Sequence, residues 1–397
     1  MMIRQTTPAE TRRTDELFCI AFELPMEGDP DREPREEPGV HRWAAFEDGT
    51  AEMMSMFVLS DFPMNFDGHS CLMGGVGGVA TLPQYRRRGG IRGCFEQALP
   101  WMHENGYDFS YLYPFSTAYY RKFGYECCVR KLAVTLNLGL LRPEPVAGTC
   151  ILADSRRPMT EAIRTVDQAL EQRYNMMIRH DAAFYDWTAH HDPAGSLEFT
   201  YVWLNAEHIP KAYTTFHQEA QPDGRNLICT RFCFVDREGF QGLMGLLKSL
   251  GTDHMYAKFF LPAECSLEYL FPEWSLGAFQ ASLCNAGMVR VINAESVLRK
   301  AAYRGSGQVV LEIRDPQIGA NSGRFRVCFE NGAAVCVVRT EDIPDAILTI
   351  PAFSALMAGV SDLRDAEAWM PGLEICNAAA PLSGVFYRKP MMICDSF

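Results

Sequence analysis

Absences narrow this sequence first. No apolar run approaches the ~18 residues that a membrane-spanning helix needs, and the start lacks the basic, apolar and small-residue order of a signal peptide. It suggests a helix start instead, with Thr7 as cap, Pro8 in the first turn and Glu10 as capping-box partner. Basic charge is in deficit. Lys and Arg number 37 against 49 Asp and Glu, a net charge of −12, which argues against nucleic acid or an anionic membrane as partner. The acidic surplus suits a cationic substrate and equally well serves solubility alone. The 14 cysteines make no C-x-x-C spacing and no regular framework, so they are expected to be reduced, buried thiols of a cytoplasmic protein. Cys229 and Cys233, four apart in a strand-like run, are expected on one face as core. His190 and His191 lack suitably spaced partners, so no metal is expected.

What is present is ordinary globular composition, 48% apolar and 22% charged over 397 residues, enough for two or three domains. Residues 1–150 alternate helix and strand. A helix is expected from Pro8 to Glu23, a charged, proline-rich loop or lid from Glu27 to Pro38, and a hairpin around Asp48-Gly49. A strand runs from Met73 to Leu82, a helix follows Gly89 with Pro100 expected to kink it, and a strand covers Phe109 to Tyr113. Residues 151–287 repeat this order: strand Leu227 to Val235, helix Gly239 to Leu250, strand Met255 to Leu261. Residues 288–397 change character, with strands at Gly307–Ile313, Gly323–Glu330 and Ala333–Arg339, the last two joined by Asn331-Gly332.

The chemistry concentrates in Val79-Ala80-Thr81-Leu82-Pro83-Gln84-Tyr85-Arg86-Arg87-Arg88-Gly89-Gly90-Ile91-Arg92. A strand stops at a proline, three arginines and two glycines follow, and a helix begins. The first amides of a helix have no partner within it and sit at the positive end of its dipole. With the arginines they make a cradle for a pyrophosphate. The second copy of the pattern reads Asp236-Arg237-Glu238-Gly239, one base between two acids, and is expected not to hold one.

A strand followed by Arg-x-x-Gly and a helix resembles the acetyl-coenzyme A loop of GNAT N-acetyltransferases, although Ile91 stands where glycine or alanine is usual. Three features together resemble the enhanced-intracellular-survival (Eis) acetyltransferases over the full length. They are this loop, the segment Tyr120-Arg121-Lys122-Phe123-Gly124-Tyr125, and the final Phe397. The resemblance implies tandem GNAT-like domains, each a mixed sheet flanked by helices, and then a domain like sterol carrier protein. The divisions are 1–150, 151–287 and 288–397, the second domain being degenerate.

It also implies roles. Tyr120 would be the acid that protonates the departing thiolate, and the Phe397 α-carboxylate would be the base. Val79, Ala80 and Thr81 would meet the pantetheine arm. Arg86, Arg87, Arg88, Gly89, Gly90, Ile91 and Arg92 would wrap the pyrophosphate, and Phe115 and Ser116 would touch the coenzyme. The implied reaction is transfer from acetyl-CoA to an aminoglycoside-like or lysine-like amine, without a metal, in a homo-oligomer, a hexamer in the family. From the residues alone Tyr120 is one of several core aromatics. The tail Lys389–Phe397, apolar up to its end, is expected to be packed, with or without a chemical role. The rival reading is a lipid- or ligand-binding carrier with an inactive GNAT fold.

Overall fold

The computed structural model describes residues 1–26, 37–222, 224–271, 275–395 and 397, with the side chains of 187–189 set aside. The loop or lid expected at 27–38 falls largely outside these residues. In chain order the elements begin β1 (Met2–Gln5), α1 (Thr11–Phe22), β2 (Val40–Phe46), β3 (Met53–Phe66), β4 (His69–Thr81), α2 (Gly90–Glu104), β5 (Phe109–Leu112), α3 (Thr117–Arg121) and β6 (Glu126–Cys127). Next come β7 (Arg130–Asn137), β8 (Gly148–Ala153), α4 (Thr160–Glu171), α5 (Ala182–Ala189), α6 (Pro193–Ser196), β9 (Glu198–Asn205), β10 (Pro210–Gln221), β11 (Gly224–Phe234), α7 (Arg237–Ser249), β12 (Tyr256–Pro262), α8 (Leu267–Leu270) and β13 (Phe279–Asn285). The last are β14 (Met288–Val291), α9 (Ala294–Lys300), β15 (Gly307–Arg314), β16 (Gly323–Glu330), β17 (Ala333–Arg339), β18 (Ala346–Thr349), α10 (Ile350–Ala358), α11 (Leu363–Trp369) and β19 (Leu373–Ile375).

They form two compact units, one of Met1–Val129, Gly287–Lys389 and Asp395–Phe397, the other of Arg130–Ala286 and Pro390–Cys394. The first unit has a seven-stranded sheet in the order β1-β2-β3-β4-β5-β14-β6, antiparallel except that β4 and β5 are parallel. Ile91, Phe95, Ala98, Leu99 and Met102 recur at helical spacing and bury one face of α2, which continues through Pro100. The same unit holds a five-stranded sheet, β17-β16-β15-β18-β19. Eight of the nine residues of α10 are buried, and the helix packs against β14, β15 and β18. The Asn331-Gly332 turn has φ of 51° and 90°, as a two-residue hairpin loop requires.

The second unit repeats the first. Its sheet order is β8-β9-β10-β11-β12-β7-β13, again with one parallel pair, β11 and β12. Two strands cross over between the sheets. Strand β7 follows the first domain's β6 in the chain but pairs with β12 and β13 of the second sheet. Strand β14, expected to open the third region, sits between β5 and β6 of the first. The opening segment of the first compact unit accordingly ends at Val129.

Both copies carry a bulge at the same place. Met56 and Val58 face Ala80 and Gly77, leaving one extra residue on β4, and Thr215 and Phe216 face Arg231 and Cys229, leaving Thr230 extra on β11. An extra residue reverses the alternation of faces. Cys229 and Cys233 accordingly lie in different cores, Cys229 with the α7 residues Phe240 and Leu243 and Cys233 with the α4 residues Ile163 and Val166, not on one face as expected. Burial pushes the thiols of Cys71 and Cys94 up to about 12. Cys328 and Cys336 are half-buried partners across β16 and β17. No helix among the described residues is long and apolar enough to cross a membrane.

Candidate active site

The site starts from a split between β4 and β5. Their parallel pairing covers only Met73–Val76 against Phe109–Leu112. Strand β4 runs on to Thr81, paired among the described residues with β3 alone, so its backbone from Gly77 to Thr81 has one edge without a strand partner there. The bulge turns the strand here, where Gly78 has φ +57°. Val79 is half-buried against the main core, Ala80 is buried, and the Thr81 hydroxyl lies 2.9 Å from that of Ser55.

At the end of β4, a 3-10 turn (Pro83–Tyr85) leads into the arginine loop. Arg87 adopts φ 67° and Gly89 φ 87°. Gly89 has no side chain to cap α2, so the first amides of the helix remain open to a ligand. A Cβ on Gly90 would lie 2.4 Å from Ser55 Oγ, so only glycine lets the helix start this close to β3. Arg86, Arg87, Arg88 and Arg92 are exposed. Arg88 reaches Glu47 at 3.5 Å, while the other three make no ion pair among the described residues. Ile91, the departure from the usual motif, is 7% exposed and points into the core, so its contribution to the loop is its amide.

The corresponding helix of the second copy is closed. Asp236 caps α7 by accepting from Gly239 N at 2.9 Å and holds Lys211 at 2.7 Å. A carboxylate occupies the position that an anion would need. The split is filled too. Beyond Ile228 and Lys258, where β11 and β12 stop pairing, Met391–Cys394 join Cys229–Phe232 and Phe260–Pro262 around a cavity of about 40 Å³.

Tyr120 lies on α3, capped by Ser116, whose hydroxyl accepts from Tyr119 N at 3.4 Å. It is 1% exposed, and its ring packs edge-on against Phe95, Phe115, Tyr119 and Tyr125. Its hydroxyl has no hydrogen-bond partner among the described residues. Burial, reinforced by the phenols of Tyr119 and Tyr125, raises its pKa well above the ordinary phenol range, so the group keeps its proton. Phe115, 72% exposed, packs tilted against Tyr119 and edge-on against Tyr120.

Phe397 sits on the glycine floor of β4. A Cβ on Gly77 would lie 2.8 Å from its carboxyl carbon, and one on Gly75 2.7 Å from its ring. The ring is boxed by Phe62, Tyr111 and Tyr113, and the Tyr113 hydroxyl donates to the Asp395 carbonyl. Gly75, Gly77, Phe62 and Tyr113 were missed by sequence reasoning. The run Gly74-Gly75-Val76-Gly77-Gly78 was the available signal, four glycines inside a strand that mark a close approach. Among the described residues no group of three or more His, Cys, Asp or Glu gathers as for a metal.

Residues 2–128 match the family model described as an acetyltransferase (GNAT) domain, and residues 294–374 match a sterol carrier protein domain. No curated protein matches the sequence. Among solved structures, a probable N-acyltransferase of Enterococcus faecalis V583 superposes with TM-score 0.84 at 19% identity, covering 98% of this chain and 97% of its own. A GCN5-related N-acetyltransferase of Anabaena variabilis ATCC 29413 gives 0.80 at 17%, covering 100% of both chains. Eis1 of Mycobacterium abscessus gives 0.78 at 18%, again over 100% of both. The chain thus carries a GNAT acetyltransferase domain over residues 2–128 and a sterol carrier protein domain over residues 294–374, and it shares its full-length fold with Eis1.

Proposed function

We propose that the protein transfers an acetyl group from acetyl-CoA to a primary amine of the aminoglycoside or lysine-like class. The observation that carries this reading is the split beyond Val76, where an open strand edge leads to an uncapped helix N-terminus flanked by Arg86, Arg87 and Arg92, which make no ion pair among the described residues. That arrangement suits a long amide-bearing arm ending in a pyrophosphate. As substrate, acetyl-CoA supplies a thioester. The loop from Arg86 to Arg92 holds its phosphates, and the edge from Val79 to Thr81 bonds the amides of its arm.

The remaining chemistry is proton transfer. The amine attacks the thioester carbonyl as a free base, a C–N bond forms and the C–S bond breaks. The Phe397 carboxylate takes the proton from the amine, directly or through water. Tyr120 gives one to the departing sulfur and regains it from solvent. Holding both groups in place makes the step effectively unimolecular. The second copy, with Asp236 on its helix and the tail in its split, binds no coenzyme. Assembly as a homo-oligomer, a hexamer by the family resemblance, is checked by light scattering.

Thiol release from acetyl-CoA, measured across polyamines, aminoglycosides and lysine peptides, tests the reaction. One Gly added after Phe397 tests the base. It keeps every side chain but moves the free carboxylate by ~3.5 Å, beyond hydrogen-bond tolerance. Turnover should fall sharply while acetyl-CoA binding persists. Equal kcat/KM for the extended and native enzymes would remove Phe397 from the mechanism.

A further inference from the structure

The helix that carries Tyr120 is only five residues long, Thr117–Arg121. A helix this short has no stability of its own, so whatever holds its ends decides where Tyr120 points. The N-terminal end has Ser116. At the other end Gly124 turns left-handed with φ +83°, and the Tyr120 carbonyl accepts from the amides of Phe123 and Tyr125 at 2.9 and 3.4 Å. The Lys122 carbonyl is bonded from far along the chain: Gln317 donates to it through Nε2 at 2.8 Å, across 195 residues.

Gln317 is itself held firmly. Its amide and that of Ile318 donate to Asp315 Oδ1 at 3.0 and 3.1 Å, and Asn321 Nδ2 donates to Oδ2 at 2.9 Å. Arg290 on β14 clamps the same carboxylate at 2.9 and 3.0 Å, with both side chains fully buried. Ile318 then enters the core cluster of Tyr120, Phe123 and Tyr125. The loop lies within 294–374, the sterol carrier protein domain.

We propose that Gln317 is a positioning residue for catalysis, and that one task of the sterol carrier protein domain is to hold the catalytic helix so that the Tyr120 hydroxyl meets its target. This rests on Tyr120 being the acid. Asp315 and Arg290 preset the loop, Gln317 ties the helix end, and Ile318 anchors the loop in the core that Tyr120 shares.

The test is a cycle of Gln317→Leu, Gln317→Lys and Tyr120→Phe in the full-length enzyme, following kcat, KM for acetyl-CoA and the thermal midpoint. Losing one oriented hydrogen bond at a helix end should lower kcat about three- to tenfold in Gln317→Leu. KM for acetyl-CoA should stay within about twofold. Gln317→Lys retains a donor of similar reach and should recover most of the rate. In the Tyr120→Phe background Gln317→Leu should change kcat no further, because the proton it helps to aim is gone. Wild-type kcat in Gln317→Leu, or the same loss in both backgrounds, overturns the proposal. Wild-type kcat in Tyr120→Phe alone overturns it together with the acid reading, and the single variant shows that case separately.

Discussion

Replacing Tyr120 by Phe removes one oxygen atom and nothing else. The ring contacts with Phe95, Phe115, Tyr119 and Tyr125 remain. The hydroxyl has no protein partner among the described residues, so its loss breaks no hydrogen bond. Tyr120→Phe should therefore be neutral or slightly stabilising, with Tm unchanged or raised by ~1–2 °C. Its kinetic effect should be large, because a positioned proton donor is worth ~10²–10⁴ in rate, or about 2.7–5.4 kcal/mol in the barrier. The pH profile adds a second constraint. Burial raises the Tyr120 pKa, and a raised acid keeps its proton as pH climbs through the ordinary phenol range. The wild type should therefore not lose kcat between pH 7 and 10 through ionisation of Tyr120, while the amine becomes a better nucleophile as it deprotonates. Steady-state thiol release, calorimetric titration with acetyl-CoA and a melting curve suffice. Normal affinity and Tm with kcat within twofold of wild type would refute the reasoning, leaving Tyr120 as core.

Calorimetry should give one acetyl-CoA site per chain, and two equivalent sites would contradict the reading of Asp236 as a block. Arg87→Glu should weaken binding several-fold or more by setting repulsive charge beside the pyrophosphate, with the melting curve unmoved. Asp67→Ala leaves the Lys389 ammonium, 3% exposed, without its carboxylate. It should destabilise by ~3–5 kcal/mol, read as a lowered denaturant midpoint. The hydrogen bonds from Arg4 hold the Glu10 carboxyl down to about 2. A depressed carboxylate stabilises the fold above its unfolded pKa, and that contribution is lost as pH falls. Glu10→Gln should therefore lower the urea midpoint at pH 7, and the difference from wild type should shrink between pH 4.5 and 2.

Local chemistry was legible in the sequence. Asn331-Gly332 marked its hairpin because a two-residue turn needs left-handed residues. Thr7 and Glu10 marked their capping box, with Thr7 N bonded to Glu10 at 2.8 Å, although a 3-10 turn over Pro8–Glu10 precedes the α-helix proper. The arginine loop was legible because a strand, two glycines and a helix start dictate where open amides fall. The repeat was legible because β4-α2-β5 and β11-α7-β12 are each contiguous. Strands such as β10 were missed, since its outer half, His217 to Gln221, carries no apolar alternation.

Every tie between distant residues was set by the folded chain. The exchange of β7 and β14 between the sheets leaves no local trace, because a strand's sequence states which face is apolar and not which neighbour it pairs with. The two bulges, which open the edge of β4 and separate Cys229 from Cys233, are a matter of register. The place of Phe397 over Gly77, the tail residues in the second split, and the tie from Gln317 to Lys122 depend on chain separations that no pattern of spacing encodes. The sequence by itself determined the elements, the charge of the cradle and the kind of chemistry. The fold determined where the terminal carboxylate lies, which copy has an open helix start, and what holds the helix of Tyr120 in place.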